Sequence, residues 1–147
     1  MCPKTFEDVR QEIEGKPILI ANRGIPARRI SRSISECLEA IAIMTATDVD
    51  KTSPSTLGAH ELLLLGEDPN AYLDMDLIIR KAKERGIIGI HPGWGFIAEN
   101  DSFPAKCEEA GITFIGPPAD AMKILGNKVS VRKLAQNLDI PVVPGSE

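Results

Sequence analysis

Residues 17–24, with the sequence Pro-Ile-Leu-Ile-Ala-Asn-Arg-Gly, decide the fold of this chain. The apolar run that opens the stretch has the length of a buried strand, and the polar turn Asn22-Arg23-Gly24 follows it directly. Pro26 then stands where a helix can start, because its missing N–H costs nothing in the first helical turn. The stretch therefore predicts a strand, a tight turn and a helix that runs to about Ala40.

The same pattern continues in both directions from this unit. Before it, Thr5 and Asp8 predict the start of a short leader helix over residues 6–14. After it, apolar runs at residues 41–45, 61–65, 87–90 and 112–115 alternate with helical stretches at 75–85, 102–110, 119–125 and 128–138. Strands that are apolar throughout are typical of a parallel sheet covered on both faces. We therefore predict an α/β fold with three layers and an open parallel sheet of about five strands.

The length and the charge limit what the chain does. A chain of 147 residues is long enough for one domain with its own core, and 43% hydrophobic residues exclude a disordered chain. The net charge is −4, so we expect no dedicated binding of nucleic acid. The apolar runs are far shorter than the roughly 20 residues that span a membrane. We expect neither a membrane span nor a secretory signal.

The cysteines and the chain ends suggest a location and a domain plan. Cys2, Cys37 and Cys107 are odd in number and form no C-x-x-C pair. They favour a reducing cytoplasm and argue against a zinc site. We divide the chain into a leader helix at residues 1–15, a domain at 16–140 and an extended connector at 141–147. The connector resembles a link to a further domain, so we expect a fragment of a longer chain.

Two turns are candidates for a binding site. In an open parallel sheet, ligands bind outside the carboxyl ends of the strands, where both Asn22-Arg23-Gly24 and the segment at residues 91–96, His-Pro-Gly-Trp-Gly-Phe, are predicted to lie. The first turn either binds an anion at the helix start or is only a tight turn. Trp94 either lines a ligand cavity or fills the core. His91 is either a base or a structural hydrogen-bonding group. Neither G-x-G-x-x-G nor a P-loop sequence occurs.

Charged residues on the predicted helices have two interpretations each. Lys128 stands at the start of a helix, where a cation is mildly unfavourable, so it is either a phosphate ligand or a solvated lysine. One predicted helix carries a basic stretch with a glutamate after it, namely Arg28, Arg29, Arg32 and Glu36. These residues form either an ion pair within the helix or a contact between subunits. Glu99 is either a solvated, capping carboxylate or a general base.

Several of these segments together resemble the N-terminal domain of biotin carboxylases, the family found in pyruvate, acetyl-CoA, propionyl-CoA and urea carboxylases. The resemblance covers residues 16–147, and the segments that carry it are Ala21-Asn22-Arg23-Gly24, Asp48 with Asp50, Ala71-Tyr72-Leu73, residues 91–96 with Glu99-Asn100, Ile115-Gly116-Pro117-Pro118 and Gly126-Asn127-Lys128. It implies a Rossmann-like domain that precedes an ATP-grasp domain and a C-terminal domain. In the family, ATP, Mg²⁺ or Mn²⁺ and bicarbonate form carboxyphosphate, and the carboxyl group moves to biotin on a carrier protein.

The resemblance also implies roles for individual residues. Lys128 matches an ATP-contacting lysine, Trp94 and Gly95 match a Tyr-Gly pair of the biotin pocket, and Glu99 matches a glutamate that supports that pocket. The residues that resemble positions at a homodimer interface are Arg29, Arg32 and Glu36. None of these residues is catalytic or a metal ligand by this comparison.

The chain departs from the family pattern at three places. Gly24-Ile25-Pro26 replaces Gly-Glu-Ile, Trp94 replaces tyrosine, and Asn127 replaces the aspartate before the lysine. The indole keeps an apolar wall but lacks the hydrogen bond of a phenol. We expect the chain alone to be inactive and to bind no cofactor tightly. A stand-alone nucleotide-binding or scaffolding module is the alternative, and the acceptor, whether pyruvate, an acyl-CoA or urea, stays open.

Overall fold

The computed structural model describes residues 4–126 and 128–144, with the side chain of Lys128 outside that description. Cys2, Asn127 and the last three residues of the predicted connector lie outside the described residues. Within the described ranges, five parallel strands form a sheet in the order β3-β2-β1-β4-β5. The strands are β1 Pro17–Ile20, β2 Ile41–Thr47, β3 Glu61–Gly66, β4 Gly89–His91 and β5 Thr113–Phe114. The predicted α/β fold with an open parallel sheet is confirmed.

Helices connect the strands. The described helices are α1 Phe6–Ile13, α2 Gly24–Cys37, α3 Met75–Glu84, α4 Ser102–Glu109, α5 Ala119–Leu125 and α6 Lys128–Asn137. Short 3₁₀ turns lie at Pro54–Thr56, Ala71–Leu73 and Phe96–Glu99. Thr5 and Asp8 form a capping box at α1, as the sequence predicted, and the Asp74 carboxylate accepts a hydrogen bond from the Leu77 N–H at the start of α3.

The sheet is covered on both faces, which confirms the three layers. Alternate residues of each strand point to opposite faces, so β1 and β2 contribute to both clusters. One cluster packs the sheet against α3 and α4 and includes Leu19, Ile43, Ile90, Ile78 and Phe103. The other packs it against α2 and includes Ile18, Ile20, Met44, Ala27 and Ile34. The edge strand β3 differs from the central strands, because Leu63 and Leu65 are buried while Leu64 is exposed.

The boundaries of α2 and β4 differ from the sequence prediction for local reasons. The helix α2 begins at Gly24 rather than near Pro26, and it ends at Cys37 rather than Ala40, shortly before Glu39 turns to a left-handed φ of 52°. The strand β4 begins at Gly89 because the Ile87 N–H is used to close α3 by donating to the Ala82 carbonyl at 3.0 Å. At the other end of β4, His91 pairs with Ile20 of β1, so it is the last residue of the strand rather than the first of a loop.

The strand order places the two predicted turns side by side. From β1 the chain proceeds to β2 and β3 on one side of the sheet, whereas β4 and β5 lie on the other side. The order thus reverses between β1 and β4, and the loops that follow these two strands leave the same edge of the sheet. Among residues 4–126 and 128–144, no helix combines the length and the apolarity that crossing a bilayer requires.

Candidate functional site

The side chain of Asn22 joins the two turns at the strand reversal. Its Nδ2 donates to the Pro92 carbonyl at 2.7 Å and to the Trp94 carbonyl at 2.9 Å. Its Oδ1 accepts from the Arg23 N–H at 2.8 Å. Asn22 is 1% exposed, so these bonds form away from water, where a missing partner is costly. One buried amide therefore fixes the bend after β4 to the turn after β1.

Gly93 allows this close approach. Its φ is +69°, a left-handed conformation that favours glycine. A Cβ at Gly93 would lie 2.5 Å from the Asn22 Nδ2, which is closer than any non-bonded contact allows. The glycine that the sequence places before Trp94 is thus required by the Asn22 side chain on the neighbouring turn.

His91 shapes the same bend from the strand side. Its Nδ1 accepts a hydrogen bond from the Gly93 N–H at 3.0 Å, which places the ring proton on Nε2. The ring is half-buried, and burial lowers the pKa of His91 below its ordinary value of 6.5. This hydrogen bond requires a neutral imidazole and uses the lone pair on Nδ1, which a general base would need to accept a proton. The structure therefore favours the structural interpretation of His91 over the catalytic one.

Trp94 stands at the surface rather than in the core. The residue is 72% exposed, and with the neighbouring turn it lines a cavity of about 470 Å³. This indole cavity is lined by Ile25, Pro26, Arg29, Ile30, His91, Gly93 and Trp94. Its wall is largely apolar, with the His91 ring and the Arg29 side chain as polar groups. The geometry is that of the ligand-wall interpretation, in which a flat group could pack against the indole.

A second cluster, which we call the ring cluster, lies beside the bend and comprises Arg23, Asp50, Tyr72 and Phe96. The Tyr72 and Phe96 ring centroids are 5.4 Å apart, and the Arg23 guanidinium lies 5.5 Å and 5.6 Å from them. Arg23 Nη1 lies 3.2 Å from Asp50 Oδ2, which also accepts from the Tyr72 hydroxyl at 2.9 Å. Burial and the Asp50 carboxylate raise the pKa of Tyr72, which keeps its hydroxyl a donor.

Sequence reasoning gave no role to the side chains of Asn22, Arg23 or Phe96. Their partners come from loops that follow different strands, and Pro92 lies 70 residues beyond Asn22. Their positions in the sequence offered one indication. Each of these residues follows a predicted strand, and the turns after parallel strands lie at the same edge of the sheet.

Glu99 lies apart from Trp94. It is exposed and lines a separate cavity of about 420 Å³, together with Asn100, Asp101, Met122, Lys123 and Gly126. Gly126 stands two residues before Lys128, the first residue of α6. The structure therefore brings Glu99 near the start of α6 and not into the indole cavity. The roles predicted for Glu99 and Lys128 stay predictions.

The charged face of α2 is at the surface. Arg32 Nε lies 3.2 Å from Glu36 Oε1, and both side chains are more than half exposed. An exposed helical pair of this kind contributes little to stability, because water screens the attraction between the two charges. Arg29 lines the indole cavity and also a shallow concavity beside Arg32 and Glu36. The predicted interface role of these three residues stays a prediction.

No metal site is evident in the ranges 4–126 and 128–144, where no three His, Cys, Asp or Glu side chains are grouped to hold an ion.

We expect Asn22→Asp to destabilise the chain strongly. The carboxylate cannot donate to the Pro92 and Trp94 carbonyls and would face them as a buried charge, so the free energy of unfolding should fall by roughly 2–5 kcal/mol. Urea denaturation measures this change. Asn70→Asp is the matched control, because Asn70 is exposed and the change should stay below about 1 kcal/mol there. Equal effects at the two positions would contradict the role given to the Asn22 amide.

We expect a pH-dependent contribution of His91 to stability. Because the folded pKa lies below 6.5, the unfolded chain binds a proton first as the pH falls. The free energy of unfolding should therefore decrease below pH 6.5, by at most about 1.4 kcal/mol per pH unit, and level off below the folded pKa.

His91→Asn removes this titration while keeping an acceptor near the Gly93 N–H. The stability difference between the unaltered chain and the variant should be larger at about pH 7.5 than at about pH 5. A difference that does not vary with pH would show that His91 has the same pKa in both states.

Comparison with known proteins gives a consistent result. Residues 14–122 match the family model for the N-terminal domain of biotin carboxylase. The biotin carboxylase of Halalkalibacterium halodurans is 42% identical over 135 residues, which cover 90% of this chain and 29% of that protein.

Two solved structures support the match. The biotin carboxylase domain of a single-chain bacterial carboxylase superimposes with a TM-score of 0.83 at 39% identity, over 89% of this chain and 31% of that one. The biotin carboxylase domain of the Hydrogenobacter thermophilus 2-oxoglutarate carboxylase, solved as a dimer with MgADP, ADP and bicarbonate, gives 0.84 at 37% identity, over 89% of this chain and 29% of that one. The chain thus spans less than a third of each of these proteins.

Proposed function

This chain belongs to the family of biotin carboxylase N-terminal domains, and from that premise we propose that it forms one wall of a site that carboxylates biotin. The proposed reaction uses ATP, Mg²⁺ or Mn²⁺ and bicarbonate, and its acceptor is biotin on a carrier protein. The Hydrogenobacter thermophilus relative was solved with MgADP and bicarbonate, which supports this choice of substrates for the family. We propose that the reaction takes place in the cytoplasm and that no residue of this chain is a metal ligand.

The exposed indole of Trp94 carries the proposal. Trp94 is 72% exposed and stands beside an apolar cavity, so the two together leave a patch of apolar surface in contact with water. Apolar patches of this kind are typical of sites that another molecule or domain covers. Trp94 lies at the strand reversal, the place where sheets of this kind bind ligands. We propose that the ureido ring of biotin packs against Trp94 and Gly95 and that Lys128 contacts a phosphate of ATP. Glu99 lines a separate cavity, so we propose that it supports the biotin pocket indirectly, through the 3₁₀ turn Phe96–Glu99 that follows Gly95.

The chemistry explains why one wall would not suffice. Carboxyphosphate reacts readily with water, so its formation and use require a site from which water is excluded. The indole cavity lies at the surface of this domain. We propose that an ATP-grasp domain and a C-terminal domain cover it and supply the groups that activate bicarbonate, so that the present chain alone is inactive.

The face of α2 that carries Arg29, Arg32 and Glu36 is proposed as a contact between two copies of the full enzyme. A dimer was solved for the Hydrogenobacter thermophilus relative. The stand-alone binding or scaffolding module is the second candidate. Sequencing the encoding gene beyond codon 147 separates the two, since an ATP-grasp segment supports the enzyme.

A domain exchange tests the proposed function. We would replace the matching N-terminal 135-residue segment of the Halalkalibacterium halodurans biotin carboxylase with this chain. The chimera should release ADP in a reaction that requires both bicarbonate and free biotin, while the 147-residue chain alone should release none. A folded chimera without activity, or activity of the isolated chain, would contradict the proposal.

Two variants of the chimera separate the proposed roles. Trp94→Ala should raise the KM for biotin by about tenfold or more and leave the KM for ATP nearly unchanged, because the indole is proposed to contact only biotin. Lys128→Ala should raise the KM for ATP instead. Glu67→Gln is the control, since Glu67 is exposed and has no part in the proposal. Equal changes in both KM values for either variant would contradict the assignment.

A further inference from the structure

Arg23 occupies an unusual position in the ring cluster. Its guanidinium lies over two aromatic rings at once, 5.5 Å from the Tyr72 centroid and 5.6 Å from the Phe96 centroid. A planar guanidinium stacks on such rings through its delocalised charge, which a lysine ammonium does less well. Arg23 follows Asn22 directly, whereas Phe96 stands two residues after Trp94. The contact therefore runs from the turn after β1 to the far side of the bend that carries the indole.

Asp50 holds the guanidinium in place from the loop after β2. Its Oδ2 lies 3.2 Å from Arg23 Nη1 and accepts from the Tyr72 hydroxyl at 2.9 Å and from Thr47 Oγ1 at 3.3 Å. The Tyr72 hydroxyl in turn accepts from the Thr47 N–H at 3.2 Å. The carboxylate is thus fixed by a tyrosine and a strand residue that are both buried. Through Asp50, the Arg23 guanidinium is therefore connected to the strand residue Thr47 as well as to the Phe96 ring.

Phe96 needs such an anchor because its backbone is strained. Its φ is +49°, a left-handed conformation that is uncommon for a residue with a Cβ. Aromatic residues adopt it only where the surrounding structure holds them there. The two glycines before it, Gly93 and Gly95, both have φ of +69°, so the backbone on the Trp94 side offers little resistance to rearrangement.

We infer that Arg23 is a positioning residue, which clamps the Phe96 ring onto Tyr72 and thereby sets the orientation of the Trp94 bend. Asn22 fixes the beginning of the bend and Arg23 fixes its end, so that the indole cavity exists before any ligand arrives. The functional consequence rests on the proposed biotin site. The clamp itself does not depend on that proposal, and it assigns Arg23 no direct contact with substrate.

The intrinsic fluorescence of Trp94 tests the clamp in the 147-residue chain, because the sequence contains one tryptophan. Arg23→Lys keeps the charge and removes the planar stack, so the fluorescence anisotropy of Trp94 should fall. Phe96→Leu should lower the anisotropy by a similar amount. Phe96→Tyr keeps an aromatic ring, so its anisotropy should equal that of the unaltered chain. Arg85→Lys is the matched control, because Arg85 is also paired with a carboxylate, that of Glu61, but lies away from the bend.

The double variant Arg23→Lys with Phe96→Leu should lower the anisotropy no further than either single change, because both act on one contact. Circular dichroism confirms that each variant is folded. If Arg23→Lys leaves the anisotropy unchanged in a folded chain, or if the two effects add, the clamp is refuted. Should one variant fail to fold, the other reaches the same contact from the opposite side.

The domain exchange separates positioning from phosphate binding. In the chimera, Arg23→Lys should raise the KM for biotin by up to about tenfold, as expected for a misplaced binding group, and leave the KM for ATP unchanged. A raised KM for ATP with unchanged Trp94 anisotropy would make Arg23 a phosphate contact and overturn the inference. If every form of the chimera is inactive, the proposed function fails, while the anisotropy still decides the clamp.

Discussion

The Asn22 amide is the constraint on which the rest of the site depends. Parallel strands bring their loops to one edge of the sheet, but that arrangement alone does not fix how the loops touch. Here a single buried side chain, 1% exposed, donates to two carbonyls of the bend that follows β4. A buried amide with all its partners satisfied specifies one arrangement, because each alternative leaves a polar group unpaired.

The position of the indole follows from this constraint and from the glycines around it. Gly93 leaves room for the Asn22 side chain, and the left-handed backbone at Gly93 and Gly95 turns Trp94 outward. The result is an apolar surface at the strand reversal, on a bend that the Asn22 side chain holds through two hydrogen bonds. Because the bend is already fixed, little conformational entropy is lost when a ligand binds to it. This property suits a domain that is proposed to supply a preformed wall.

Local patterns made most of the fold predictable. The run at residues 17–24 predicted β1, its turn and α2, and the capping box of α1 was visible as Thr5 and Asp8. The boundary of β4 was missed because the Ile87 N–H closes the preceding helix, which no strand pattern reports. The contacts that build the site were not predictable, since Arg23, Asp50, Tyr72 and Phe96 meet only after the sheet has formed. Sequence placed Trp94 correctly at a strand end but left open whether it faces the core or the solvent.

The hydrogen bonds of the Asn22 side chain are the most direct test of this account. Scalar couplings across hydrogen bonds, measured by NMR on the isotopically labelled chain, would connect the Asn22 Nδ2 to the carbonyl carbons of Pro92 and Trp94. We expect both couplings and slow exchange of the two Nδ2 protons with solvent. Rapid exchange of both protons, with neither coupling detectable, would contradict it.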